Sequence, residues 1–220
     1  MMSKAMKTTM QKMSWIVIAF VASLSVLTLS TAASASDEVE RYHEVSVADV
    51  NHVILKNGVG SVYVEQGEGS ELTIRALFEG KRSGIMRRTK DVSDMDVAIR
   101  ERNGVLSISF SENNVESTWH VTLPAVEKLD VDLGVGLVDV KVGATAVNID
   151  LGVGDAKVEG LLSEAGAISA DVGVGSASIR GGHDVKTKRA IVAETTSGRG
   201  DGEFSINIDI GVGDAGIRLR

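Results

Sequence analysis

Val147-Asn148-Ile149-Asp150-Leu151-Gly152-Val153-Gly154-Asp155-Ala156-Lys157-Val158 is the stretch that decides the fold. Its apolar residues alternate at Val147, Ile149, Leu151 and Val153, then shift by one to Ala156 and Val158. Alternation with period two describes a strand that buries one face. The parity flips across Gly154, so the strand must bend or bulge there if both arms are to face one core. Glycine suits such a corner, because it accepts positive φ and close backbone approach. Val153 falls on the apolar parity and is expected in the core, where Val153→Asp would bury a charge.

The same unit recurs along the chain. Leu55-Lys56-Asn57-Gly58-Val59-Gly60, Asp132-Leu133-Gly134-Val135-Gly136, Asp171-Val172-Gly173-Val174-Gly175 and Asp209-Ile210-Gly211-Val212-Gly213 are further copies, and Thr196-Ser197-Gly198-Arg199-Gly200 is a degenerate one. Gly58, Gly60, Gly134, Gly136, Gly152, Gly154, Gly173, Gly175, Gly211 and Gly213 are thus assigned as structural corners. Units of about 20 residues that each bury one face predict an all-β, solenoid- or β-helix-like stack, completed coil by coil. In the degenerate copy Thr195, Ser197 and Arg199 land on core offsets, a conflict within the repeat.

The region between Gly60 and Gly136 lacks the motif but carries strand-like runs at 71–78, 97–100, 105–110 and 119–123. Asn103-Gly104, between two apolar runs, is a hairpin signal, so the N-terminal half is expected to be partly antiparallel. An antiparallel β-sandwich is the rival architecture.

The first 35 residues have the form of an export signal: Lys4, Lys7 and Lys12, an apolar stretch from Trp15 to Leu29, then Ala33-Ser34-Ala35. Fifteen helical residues rise only about 22 Å, short of the roughly 30 Å of bilayer hydrocarbon. Cleavage after Ala35 is therefore expected, leaving one domain over 36–220 with no transmembrane segment, in the periplasm or at the cell surface. The leader holds three of the 23 basic residues and none of the 30 acidic ones, leaving 20 against 30, a net charge of −10. That balance argues against a nucleic-acid partner. The absence of cysteine removes disulfides, thiolate chemistry and a lipidated cysteine, so burial and backbone pairing must carry stability.

Leu123-Pro124 closing a strand, followed by the ordered Gly-Val-Gly units, resembles the bacterial "putative adhesin" domain family, and the related "putative auto-transporter adhesin head domain". The likeness spans roughly Val53 to Arg220. It implies an exported, β-solenoid-like, adhesin-like module with no assigned molecular activity.

Four copies place an aspartate four residues before the second glycine: Asp132, Asp150, Asp171 and Asp209. Stacked in register, they would form a carboxylate column at about 4.8 Å spacing, either a solvated face or a bridge for calcium. The calcium nonapeptide is only partly matched, since Asp155 and Asp214 directly follow the second glycine. Lys81, Arg82, Arg87, Arg88 and Lys90 concentrate five cations in one loop of an acidic chain, a candidate grip for an anionic partner. Gly211-Val212-Gly213-Asp214-Ala215-Gly216 spells a dinucleotide fingerprint with no helix to follow it. Arg199-Gly200-Asp201 spells an integrin-read tripeptide, inexpensive by chance in this composition. His43, His52, His120 and His183 lack metal-ligand spacing, and no nucleophile–base set can be assembled. A non-catalytic envelope or surface module is expected, binding a glycan, an envelope component or a protein. A polysaccharide-acting β-helix enzyme and a calcium-stabilised structural element are the alternatives.

Overall fold

Long apolar alternation interrupted by paired glycines gives long strands that turn a corner. The computed structural model describes residues 37–83 and 88–220; the expected leader and Arg87 lie outside them. The elements are β1 (Glu38–Ser46), β2 (His52–Gln66), β3 (Glu71–Gly80), β4 (Arg82–Ser83), β5 (Arg88–Thr89), β6 (Ala98–Arg102) and β7 (Val105–Phe110). They continue with β8 (Val115–Leu123), β9 (Lys128–Lys141), β10 (Ala146–Gly160), β11 (Ala165–Arg180), β12 (His183–Ala190), β13 (Ala193–Arg199) and β14 (Phe204–Leu219). Apart from the small β4–β5 ribbon, they form one twelve-stranded sheet in the order β1-β3-β8-β2-β9-β10-β14-β11-β13-β12, with β7 also on β2 and β6 on β7. The sheet is mixed and does not close on itself.

The five motif strands β2, β9, β10, β14 and β11 run parallel and in phase: Gly60 pairs Gly136, Gly136 pairs Gly154, Gly154 pairs Gly213, and Gly213 pairs Gly175. Parallel neighbours ordinarily need a long crossover. Here Lys141 at the end of β9 is joined to Ala146 at the start of β10 by residues 142–145 alone. That link reaches at most about 18 Å, whereas a straight strand of this length would span about 45 Å. Since Ala146 pairs with Lys128, β9 must double back at its glycines.

The corner is steric. Gly154 has φ +140°, and a Cβ there would lie 1.8 Å from the carbonyl oxygen of Gly136. A Cβ on Gly152 would stand 2.5 Å from the Gly134 oxygen. The same approach repeats from rung to rung, so both glycines are required by their neighbours as well as by the bend.

Both arms of each strand bury apolar side chains. On β10 these are Val147, Ile149 and Leu151 before the corner and Ala156 and Val158 after it, all 3% exposed or less. In the first motif strand the equivalent of Leu151 is Asn57, also buried. Its Nδ2 donates to the Ser117 carbonyl at 3.1 Å and its Oδ1 accepts from Ser117 Oγ at 2.8 Å. Ser117 belongs to the outermost parallel neighbour of β2, a strand broken in two: β7 pairs the first arm and β8 the second. Residues 111–114, with Asn114 at φ +60°, take the place of the glycine corner there.

Three expectations are corrected. Val153 is not core: Val59, Val135, Val153, Val174 and Val212 are 45–47% exposed, because the bend carries the residue between the glycines to the outside of the corner. The rungs do not stack in sequence order, since β14 inserts between β10 and β11. The segment 196–200 is no Gly-Val-Gly copy: β13 runs antiparallel to β11, burying Glu194 and Thr196 rather than Thr195, Ser197 and Arg199. The antiparallel expectation for the N-terminal half is borne out, with β1–β3, β3–β8 and the β6–β7 hairpin at Asn103-Gly104 all antiparallel.

The sterics set a stability contrast. Gly154→Ala should cost at least about 2 kcal/mol in denaturant unfolding. Gly216→Ala, whose Cβ would meet only Ser178 Oγ at 3.8 Å, and Val153→Thr should each stay within about 1 kcal/mol of the parent.

Candidate binding face

Register turns one repeat position into one column. Across the sheet Lys56, Asp132, Asp150, Asp209, Asp171, Thr195 and Lys188 follow one another as paired neighbours. The four candidate aspartates therefore stand in direct succession, and Thr195 lies beyond Asp171. Adjacent exposed carboxylates at about 4.8 Å repel by about 1 kcal/mol in water. The column is relieved at its edges: Lys56 Nζ reaches Asp132 at 3.1 Å, and Ser169 Oγ donates to Asp171 at 3.0 Å.

Two residues earlier on the parallel strands, and two later on antiparallel β13, lies a second column, Asp130, Asn148, Asn207, Ser169 and Ser197. Asn207 Nδ2 donates to Asn148 Oδ1 at 3.0 Å, and Asn148 Nδ2 donates to Asp130 Oδ1 at 2.9 Å. The two columns line a groove of about 460 Å³ on the outer surface. It is a flat lattice of acceptors and amides, with no paired catalytic set. Among the described residues, no three His, Asp or Glu side chains converge as a metal site.

Asp130 anchors the lattice at one end. Lys128 Nζ lies 2.9 Å and His52 Nε2 2.7 Å from its carboxylate. Burial, the largest single influence, raises its pKa, but the hydrogen bonds from Lys128, Asn148 and His52 together outweigh it and hold the carboxyl below the usual aspartate range.

The basic loop is partly neutralised where it is described. Lys81 pairs with Glu79 at 2.9 Å and Glu116 at 2.7 Å, and Lys90 with Glu112 at 3.2 Å. Arg82 and Arg88 sit on the β4–β5 ribbon, exposed. The Arg199-Gly200-Asp201 tripeptide is tied down: Gly200 is buried and its N–H donates to Gly166, Asp201 N–H donates to Leu162, and the Asp201 carboxylate meets His183 at 3.2 Å. His43 pairs with Asp96 at 2.7 Å, and His120 stacks on Tyr63 at 4.9 Å. The Asp/Asn/Ser column was missed from sequence, although its signal stood at one fixed offset before each corner.

No protein-family model matches the chain, and no curated protein matches it in sequence. Among solved structures it is similar to a "putative cell adhesion protein" from Clostridium sporogenes, with TM-score 0.52 and 19% identity, over 83% of this chain and all of that one. A "putative adhesin" from Parabacteroides merdae matches with TM-score 0.30 and 11% identity, over 81% of this chain and 80% of that one. A "putative adhesin" from Bacteroides fragilis matches with TM-score 0.23 and 11% identity, over 84% and 99%. The first likeness carries the resemblance to adhesin domains at the level of fold.

The Asp130 anchor gives a pH dependence. A carboxyl held below its ordinary pKa contributes stability above that ordinary value and loses it as pH falls through the lowered folded value. Stability of the parent should therefore drop more steeply than that of Asp130→Asn as pH falls below the ordinary aspartate range, read as denaturant midpoints at each pH.

Proposed function

We propose that the chain is an exported, adhesin-like, non-catalytic binding module. In this proposal each bent strand with its short link is one coil of a solenoid-like stack, and the outer polar face grips an extended glycan of the cell envelope. The observation that carries the proposal is the phase-locked pairing of Asp132, Asp150, Asp209 and Asp171 beside the Asp130–Asn148–Asn207 ladder. A lattice that repeats the same acceptors and amides at strand spacing rewards a ligand that repeats hydroxyls along its length. Flat, exposed and rigidly backed, it offers many modest hydrogen bonds rather than one enclosed pocket. A polysaccharide-cleaving enzyme needs an acid, a base and a cleft around one bond, and no such grouping among the described residues supports that alternative.

The test is affinity electrophoresis and calorimetry against polysaccharide extracted from the producing cell's envelope. Asp150→Ala with Asp209→Ala should weaken binding by roughly tenfold or more, while the unfolding midpoint stays the same or rises as the repulsion is relieved. Repeating the titration in calcium and in chelator shows whether a bridging cation takes part. Lack of binding to every envelope polysaccharide, or binding indifferent to the double substitution, would overturn the proposal.

A further inference from the structure

The β12–β13 hairpin breaks two rules at one place. Ala190 pairs with Ala193, so Ile191 and Val192 form a two-residue loop. Such loops favour glycine or asparagine, because a central residue takes positive φ. Ile191 holds φ +53°, an outlier for a β-branched side chain. The other non-glycine residues at positive φ among the described residues are Asn103, Asn114 and Asp184, the types that tolerate it. Strain of this kind persists where function holds it. Packing does not repay it here, since Ile191 is 99% exposed and Val192 54% exposed.

Charge supplies the second observation. Every residue of β12 is exposed, and from Lys186 to Ala193 the chain carries three cations and no acid. Arg189 is engaged by Glu194. Lys186 and Lys188 have no ion-pair partner among the described residues and face outward beside Ser197 and Thr195. An acidic protein thus carries, at one edge of its sheet, an apolar tip collared by lysines. The tip is also rooted in the rigid sheet, because the N–H of Gly175 donates to the Val192 carbonyl at 3.2 Å.

We infer that the β12–β13 hairpin docks on an anionic lipid surface, with Ile191 and Val192 entering the headgroup–acyl boundary and Lys186 and Lys188 meeting the lipid phosphates. A polyanionic glycan would reward the lysines but not a fully exposed isoleucine. Only an interface offering hydrocarbon and negative charge together complements both. Lys188 continues the aspartate column at the edge of the sheet, but neither lysine nor the tip lines the groove, so substitutions at Asp150 and Asp209 test the glycan proposal and substitutions at the hairpin test this one.

The test is flotation with vesicles of mixed phosphatidylglycerol and phosphatidylcholine against phosphatidylcholine alone. It uses protein recovered from the exporting cell, its N-terminus read by mass spectrometry. The parent should float with the anionic vesicles, less so as salt is raised. Ile191→Gly with Val192→Asn supplies residues suited to a turn whose first central position alone has positive φ; it should raise the melting temperature while reducing flotation at least tenfold. Lys186→Gln with Lys188→Gln should reduce flotation and flatten its salt dependence. Three results would overturn the inference: no flotation of the parent, flotation unchanged by the turn substitution, or a parent dimer in sedimentation that the turn substitution dissolves. The last would assign the tip to a second copy of the chain.

Discussion

The carbonyl oxygen of each corner glycine fills the space where the next rung's glycine would carry a side chain. Gly154 against Gly136, Gly213 against Gly154 and Gly175 against Gly213 all repeat an approach of 1.7–1.8 Å to the absent Cβ. Three consequences follow from that one contact. The strand bends at a fixed point, so both arms bury their apolar faces. Rungs lock in phase, because a slip of one residue would drive a side chain into a carbonyl. Links as short as residues 142–145 then suffice between parallel neighbours. With no disulfide available, this ladder and the core behind it hold the module together.

Phase-locking also explains how an acidic column is tolerated. Any polar residue at a fixed offset is copied onto every rung, whether its neighbours welcome it or not. Repulsion between successive carboxylates is small in water, and it is offset at the ends by Lys56 and at Asp171 by Ser169. In the neighbouring column the copying is favourable, because amides at Asn148 and Asn207 pass hydrogen bonds from rung to rung. The valines between the glycines are copied outward in the same way, giving an aliphatic ridge at the corner.

Much of this was legible in the sequence because period and parity are local properties. The runs at 71–78, 105–110 and 119–123, the Asn103-Gly104 hairpin and the corners themselves follow from alternation and turn chemistry; the strands at the first and last of these extend further, over 71–80 and 115–123. Rung order was not legible: repeats with the same phase are interchangeable neighbours, so nothing in β14 shows that it lies between β10 and β11. Val153 was misassigned because parity counts residues and ignores the direction of a bend. Thr196 was hidden because a Gly-x-Gly at 198–200 mimics the motif, while its strand runs the opposite way. β1 gave little signal, being an edge strand rich in charge whose alternating half-buried positions include Arg41 and His43. The hairpin tip was invisible because positive φ at Ile191 contradicts the propensity from which turns are read.

The central claim is that the corner ladder locks the rungs in phase, in the order β10-β14-β11, and so composes the outer face. The chain has no cysteine, which makes paired cysteine substitution clean. Asp150 and Asp209 are direct neighbours, at about 4.8 Å, within disulfide reach. Asp150 and Asp171 stand two rungs apart, at about 10 Å. Mild oxidation should close a disulfide within one chain in the Asp150→Cys, Asp209→Cys protein and leave the Asp150→Cys, Asp171→Cys protein open. Efficient closure of the second pair, with the first left open, would contradict the account.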